Sequence, residues 1–526
     1  MGIYLNPGNS GFQEIVQSDY VDKTGLIALI NQKICKAGKL FCVSRPRRFG
    51  KSYAAKMLCA YYDCSCDSDD LFRNLEVAET DGYQEHLNAY NVISLDVTSF
   101  ISRAKRRSAT LKTIPDDIVN ALHGELRKKY PDAPKGQGLT EDLIWCAEKT
   151  GRKFVFIIDE WDALIREAKD DDDLQTAYLN MLREWFKNNS FTPKVVAAAY
   201  LTGILPIKKD GTQSAISDFD EYTILWPGPF AKYTGLSESE VRGLCETGKL
   251  DFNEVKAWYD GYEFSGVEPI YNPYSVMSSV RFGECRSYWR KTSAAESLMT
   301  YVGMDYDGLQ EIIMRLITGE EVPVDVEGFE NDFESFGGRD DVLTLLIHLG
   351  YLTWNGKNGL AKIPNEEVRR EFRKILKGGR DVRGFATLLS QSQKLLKDTI
   401  DGNADEVAAT IQKIRDSEYA PTFYNDEQAL RYVIKFAYIA ALEQYARVEE
   451  LPSGRGIADV VFIPKNAGKP ALVIELKWNK SSNGALEQIK ANNYPAALRE
   501  FTGEIIMVGI NYDEKTKVHG CSIETI

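Results

Sequence analysis

Histidine is scarce in this chain. Four occur in 526 residues, which leaves little imidazole for metal or acid–base chemistry. Cysteine is present but unpatterned: nine residues, an odd number, lie scattered without framework spacing. That excludes a disulfide scaffold and fits reduced thiols in a cytoplasm. Cys59, Cys64 and Cys66 are close together, but no second cysteine pair or nearby histidine completes a zinc set. There is no apolar run of about eighteen residues, so no segment is expected to span a membrane. Met1 to Asn6 carries neither a basic stretch nor an apolar core, so no signal peptide is expected, and Asn6 breaks the myristoylation pattern. Positive charge is in deficit too, with a net charge of −13. This excludes bulk electrostatic attraction to nucleic acid but not a local basic surface. Candidate patches are Arg45 to Arg48, Arg103 to Arg107 and Arg369 to Lys377.

What is present is a globular composition, 44% hydrophobic and 27% charged. The length implies two to four domains and a core large enough to need no metal or disulfide for stability.

The chain is organised around Leu40 to Ser52. A short apolar run, Leu40 to Val43, reads as a buried strand. It leads through Arg45-Pro46-Arg47-Arg48-Phe49 into Gly50-Lys51-Ser52 and a helical segment, Tyr53 to Tyr62. Strand, loop, Gly-Lys-Ser and helix is the layout of a phosphate-binding loop. The free N–H groups and dipole of a helix N-terminus suit an anion. Gly50 lets the backbone approach phosphate, Lys51 reaches the β/γ-phosphates, and Ser52 holds Mg²⁺. Arg48, in the same loop, is counted with these as nucleotide-binding. The pattern has a defect: Arg45 stands where it wants glycine, and Pro46 has no N–H to donate. A basic loop before an ordinary helix has the same outline.

A second segment, Phe154-Val-Phe-Ile-Ile-Asp159-Glu160-Trp161-Asp162, reads as a strand buried on both faces of a parallel sheet and ending in acids. The carboxyl ends of such strands are where open α/β sheets bind ligands. Asp159 is expected to hold Mg²⁺ and Glu160 to orient a water for attack on the γ-phosphate. A strand followed by an acidic turn is the plainer alternative.

From Asn425 the texture becomes that of a compact α/β unit. A long helix, Asp426 to Tyr445, precedes strands near 447–451, 457–463 and 471–478, a helix at 485–498 and a strand at 504–510. Glu475 and Lys477 share a strand face, and a hairpin brings Asp459 across from Glu475. Two carboxylates and a lysine then converge. Carboxylate oxygens, with the Leu476 carbonyl, suit Mg²⁺ or Mn²⁺. The metal activates a water and polarises a phosphodiester, and Lys477 orients that water or stabilises developing charge. A surface Glu-x-Lys pair has the same spacing.

Tyr20-Val-Asp-Lys-Thr24, Arg45-Pro-Arg-Arg-Phe-Gly-Lys-Ser52, Ile158-Asp-Glu-Trp-Asp162, Leu201-Thr-Gly-Ile204, Asp260-Gly-Tyr262, Tyr271-Asn-Pro-Tyr274 and Ile363-Pro-Asn-Glu-Glu-Val-Arg369 together resemble the bacterial AAA-ATPase-like proteins that carry a C-terminal nuclease domain of the PD-(D/E)xK superfamily. Arg45 is usual in that family. The resemblance implies an α/β fold. It consists of an AAA-like P-loop NTPase core with a parallel sheet (1–230), a helical middle region (231–420) and a restriction-endonuclease-like α/β domain (421–526). It implies that Thr202 senses the γ-phosphate, that Glu427 completes the metal site, and that Gln488 and Tyr494 match the family's polar pair. Ala458 departs from the proline of the family motif. Lys208 and Lys209 are candidates to meet a phosphate, in cis or from a neighbouring subunit of a homo-oligomer. The expected activity is ATP binding and hydrolysis coupled to metal-dependent cleavage of DNA, foreign or mobile, in the bacterial cytoplasm. The alternative is a nucleotide-switched DNA-binding or signalling protein with little or no turnover.

Overall fold

The computed structural model describes residues 2–526 apart from 170, 208, 211–212, 215, 217, 265–267, 290–308, 318, 330–337, 379–382, 419–426, 454–455, 466–467, 492–497 and 499–502. Lys208 and Tyr494 therefore lie outside the described residues, as does the Lys209 side chain. Contacts group the chain into two units, Met1–Ala294 with Glu321–Glu371, and Ala295–Glu320 with Phe372–Ile526. The residues expected to form the middle region fall into both.

The described residues of the Met1–Ala294 part of the first unit hold seven strands: β1 (Leu40–Ser44), β2 (Asn91–Asp96), β3 (Phe154–Asp159), β4 (Val196–Gly203), a short pair β5 (Lys209–Asp210) and β6 (Gln213–Ser214), and β7 (Asp220–Tyr222). Five form one sheet in the order β2-β3-β4-β1-β7, and every neighbouring pair is parallel. The apolar runs read as doubly buried strands are just that. Phe154, Phe156 and Ile158 of β3 join one hydrophobic cluster, while Val155 and Ile157 join the cluster on the opposite face. Register aligns the strand ends that matter: Asp96 lies beside Asp159, Asp159 beside Thr202, and Thr202 beside Val43.

Helix α1 (Lys51–Tyr62) follows the loop, with Gly50 as its N-cap. The acidic run after Asp162 starts a helix, Asp172–Phe186. Asp171 accepts from the Leu174 N–H, and Asp172 and Asp173 occupy the first turn, where the dipole favours them. Before the loop the chain is helical at Ser10–Val16 and at Gly25–Asn31. Ser237 and Glu240 form a reciprocal capping box, as Ser-x-x-Glu spacing predicts. Helix α2 (Ala163–Glu167) follows β3, α3 (Pro273–Phe282) has Asn272 as its cap, and α4 (Arg339–Leu349) ends at Gly350. A small antiparallel sheet, β8 (Val322–Pro323), β9 (Thr353–Asn355) and β10 (Leu360–Lys362), adds strands to a region read as helical.

The second unit contains helices Arg383–Ile400 and Ala404–Glu418, then α6 (Glu427–Ala437), with α5 (Glu366–Gly378) leading into it. The long helix expected at 426–445 stops at Ala437. A 3-10 turn, Ile439–Glu443, follows, and Tyr445 already belongs to a strand. No glycine or proline marks that stop. Tertiary packing sets it, with Tyr438 buried and its hydroxyl on Thr399. Strands β11 (Tyr445–Ser453), β12 (Gly456–Pro464), β13 (Ala471–Trp478), β14 (Ile505–Asp513) and β15 (Val518–Thr525) form a sheet in that order. The β13–β14 pair is parallel, and α7 (Ser482–Ala491) lies between those strands in the chain. Edge strand β15 was not expected, because its half-exposed, polar sequence carries no apolar alternation.

Glu367, on α5 within the first unit, is almost fully buried. It accepts from Ser275 Oγ (2.7 Å) and from the N–H groups of Tyr288 (2.6 Å) and Trp289 (3.0 Å). Burial pushes its carboxyl up to about 7 despite those donors. The folded value lies above the unfolded one, so this group's stabilisation is full at low pH and is lost as pH rises toward 7. Glu367→Gln should therefore shrink the difference in unfolding free energy between pH 5 and pH 8 by roughly 2 kcal/mol, measured by denaturant titration of both proteins.

Candidate functional site

The phosphate-type loop sits at the carboxyl end of β1. Gly50 has φ +85°, a left-handed conformation that glycine takes without strain. Lys51 is buried, and its Nζ donates to the carbonyls of Arg45 (3.1 Å) and Pro46 (3.0 Å), lying 3.6 Å from Glu160 Oε1. Ser52, one residue on, hydrogen-bonds Asp159. Burial raises the Asp159 carboxyl to about 6; Ser52 opposes the shift and the neighbouring Glu160 adds to it. Lys51, Ser52, Asp159 and Glu160 are thus brought together as the sequence suggested.

Arg45 explains the missing glycine. Its side chain is fully buried and points away from the loop's mouth. Nε donates to Thr234 Oγ1 (2.8 Å), and Nη1 donates to the carbonyls of Ser44 and Tyr222 (2.8 Å each). The guanidinium also lies over the Phe264 ring. Burial lowers its pKa to about 10. This arginine is a tie between β1, β7 and the segment after β7. Two other loop residues meet the region beyond residue 230. Phe49 packs edge-on against Tyr262, and a Cβ on Gly350 would strike Pro46.

Two expected nucleotide contacts are placed differently. Thr202 is buried, and its hydroxyl donates to the Val43 carbonyl (3.1 Å) inside the sheet, so as placed it offers no donor to a phosphate. Arg48 has φ +73° and stacks its guanidinium 3.9 Å above the Tyr274 ring. Arg166 of α2 was not singled out in the sequence. It bonds Glu160 Oε2 (2.7 Å) and Asp162 Oδ2 (2.9 Å). Beside the loop opens a cleft of about 90 Å³, lined by Tyr20, Phe49, Ala54, Met57, Leu236 and Met277 among others.

In the second unit, pairing of Val460 with Ile474 carries on to set Asp459 opposite Glu475. Glu475 is buried. Its Oε1 accepts from Lys477 Nζ (2.9 Å) and from Gln488 Nε2 of α7, and its Oε2 is buried with no hydrogen-bond partner among the described residues. Burial raises this carboxyl to about 7; the charges of Asp459 and Glu427 add to the shift and Lys477 opposes it. Asp459 Oδ2 accepts from the Leu476 N–H (2.9 Å), and its Oδ1 is paired with Arg431 of α6, another residue the sequence did not single out. Arg431 sits one turn after Glu427 on the same helix, and that spacing was the available signal. The Leu476 carbonyl accepts from Lys477 Nζ (3.0 Å). Glu427 is exposed at the start of α6, and among the described residues no group of three acids, cysteines or histidines closes into a metal-binding set. A buried, unpartnered carboxylate oxygen beside a second carboxylate is nonetheless a fitting seat for a hard divalent cation.

With both sites described, the family comparisons agree with them. Residues 7–213 match the family model described as a predicted AAA-ATPase, and residues 425–521 match the PD-(D/E)XK nuclease superfamily. The chain joins an AAA-ATPase-like domain to a C-terminal PD-(D/E)XK domain. A protein of Azotobacter chroococcum mcd 1, described as an uncharacterized protein in the vnfD 5′ region, is 24% identical over 543 residues, 99% of this chain and 98% of its own length. Among solved structures, Aeropyrum pernix ORC2 in ADPNP–ADP complexes has a TM-score of 0.33 at 12% identity, covering 69% of this chain and 96% of that one. PCH-2 of C. elegans has a TM-score of 0.23 at 11% identity. It is covered over 62% of its length, by 54% of this chain. Among the described residues, no helix is long and apolar enough to cross a membrane.

The tie made by Arg45 in the AAA-ATPase-like domain is testable. Arg45→Gly, which restores the loop pattern, strips donors from the Thr234 hydroxyl and from the Ser44, Tyr222 and Pro227 carbonyls. It should lower unfolding free energy by about 2–4 kcal/mol in chemical denaturation.

Proposed function

We propose that this protein hydrolyses ATP in its first unit and cleaves DNA phosphodiester bonds in its second, with nucleotide state governing the cut. The observation that carries the first half is the meeting of Lys51, Ser52, Asp159 and Glu160 at the carboxyl end of a parallel sheet. The triphosphate lies along the loop and the N-terminus of α1, and the base occupies the cleft beside Gly50. Lys51 exchanges its loop carbonyls for β/γ-phosphate oxygens. Ser52 and Asp159 would hold Mg²⁺, which would offset charge on the phosphates. Glu160 accepts a proton from a water whose oxygen attacks the γ-phosphorus. The bond to the β–γ bridging oxygen breaks, releasing ADP and phosphate.

In the PD-(D/E)XK domain the carrying observation is the buried, unpartnered Oε2 of Glu475 next to Asp459 and Lys477. Asp459, Glu475 and the Leu476 carbonyl would hold a divalent cation, Mg²⁺ or Mn²⁺, which would make water a competent nucleophile at neutral pH. Glu427 is near enough for its charge to act on Glu475. Gln488 fixes the Glu475 carboxylate, and Lys477 is placed to hold the attacking water or steady charge on the phosphate. Nine free thiols suit a reducing cytoplasm. Foreign or mobile DNA is the substrate this reading favours.

Lys51→Ala should weaken ATP binding by at least roughly a hundredfold in calorimetry, since a phosphate loses its compensating charge. Glu160→Gln should bind ATP normally yet turn it over roughly a hundredfold more slowly. Unchanged affinity in the first, or wild-type turnover in the second, would remove that residue from the mechanism. For the nuclease, Asp459→Ala, Glu475→Ala and Lys477→Ala should each cut DNA at least about a thousandfold more slowly, and the triple variant little worse than any single one. Lys477→Ala should still bind Mn²⁺. A Glu475→Ala protein that cuts like wild type would favour a nucleotide-switched DNA-binding protein instead.

A further inference from the structure

We propose that Arg166 is the positioning residue of the ATPase site, holding Glu160 by one carboxylate oxygen and tying it to the strand end just past Thr202. The inference rests on the reading of Glu160 as the group that accepts the water proton.

Both oxygens of Glu160 are engaged, and unequally. Oε2 meets Arg166 Nη2 at 2.7 Å, whereas Oε1 lies 3.6 Å from Lys51 Nζ. The Glu160 backbone adopts φ +51°, uncommon for a residue with a side chain. Such a conformation persists where its surroundings over-determine it. Arg166 supplies part of that surrounding through its second branch. Its Nε donates to Asp162 Oδ2 at 2.9 Å. Asp162 is fully buried, and the same oxygen accepts from the N–H groups of Ile204 (3.2 Å) and Leu205 (3.0 Å), which directly follow β4. A Cβ on Gly203 would fall 2.6 Å from Asp162 Oδ1, so the close approach of this strand end depends on glycine there. Glu160 is thus linked through Arg166 and Asp162 to the end of the strand that runs between β1 and β3.

The chemistry of the guanidinium suits this task. Its planar fork addresses two carboxylates at once with separate N–H groups, which a lysine ammonium does with much less directional control. The unequal hold on Glu160 also suits turnover. Phosphates that draw Lys51 away release Oε1 to accept a proton, while Arg166 keeps Oε2 and so preserves the aim of the carboxylate. Arg47 also feels Arg166, Glu160 and Asp162 electrostatically, so a second cation faces this cluster. Arg166 contacts both carboxylates directly and so bridges Glu160 to Asp162.

A double-mutant cycle on the full chain tests the assignment. Wild type, Arg166→Ala, Glu160→Gln and the double variant are compared for ATP turnover and for affinity toward a non-hydrolysable ATP analogue. Arg166→Ala should lower kcat roughly tenfold to a hundredfold, with KM and analogue affinity within about threefold of wild type. In the Glu160→Gln background the same substitution should cost nothing further, because its effect runs through Glu160. Arg166→Lys should recover only part of the rate, and it replaces Arg166→Ala in the cycle if that variant does not fold. Wild-type turnover in Arg166→Ala, additive losses in the cycle, or a fall in analogue affinity matching the fall in kcat would each overturn the assignment while leaving the ATPase reading standing. A wild-type protein that binds ATP without turning it over would overturn both together.

Discussion

A buried guanidinium holds the nucleotide-type unit together. Arg45 sits at the last turn of chain before the phosphate loop opens, with no solvent access and a charge that burial makes costly. The cost is offset only because the Ser44 and Tyr222 carbonyls and the Thr234 hydroxyl converge on it, and those groups come from β1, β7 and the segment beyond. Burying an unpaired arginine would be untenable, so these three parts must come together if the unit is to fold at all. The glycine of the usual loop pattern is conformational freedom at one point. Here that point is replaced by a cross-link, and Arg48 and Gly50 supply the left-handed turns in front of Lys51.

The same economy of charge recurs at both sites. Asp159 and Glu475 are carboxylates raised by burial and by a neighbouring carboxylate, and each is partly relieved by a polar partner, Ser52 in one case and Lys477 in the other. Groups in this state bind protons or cations readily, which is what a metal-assisted hydrolase requires of its ligands. The cations differ in kind. Lys51 leans on two backbone carbonyls, so it can change partners at the cost of neutral hydrogen bonds, while Lys477 divides itself between the Leu476 carbonyl and the Glu475 carboxylate. Arg166 and Arg431 instead clasp carboxylates, a firmer hold.

Some of this was legible in one dimension. Gly50-Lys51-Ser52 and Asp159-Glu160 could be read because each follows a doubly buried strand, and such strands announce themselves as unbroken apolar runs. Asp459, Glu475 and Lys477 could be read because strand periodicity puts residues two apart on one face. The expectation for the hairpin between β12 and β13 needed only a turn. Other expectations failed where local signal was absent. The helix at 426–445 was drawn too long because nothing between Ala437 and Tyr445 breaks a helix chemically.

Sequence by itself determined the main buried strands, the Gly-Lys-Ser loop between strand and helix, and the acids at the strand ends, because those depend on periodicity and short-range chemistry. Tertiary structure decided which polar groups are spent before any ligand arrives. Thr202 was placed correctly at its strand end, yet only the register with β1 shows its hydroxyl committed to the Val43 carbonyl. Arg45 looked like a defect in a motif until its partners, nearly two hundred residues away in sequence at Thr234, were in place. Arg166 and Arg431 carried no motif at all. Their roles exist only through distances between side chains on different elements, and no one-dimensional pattern records a distance across a fold.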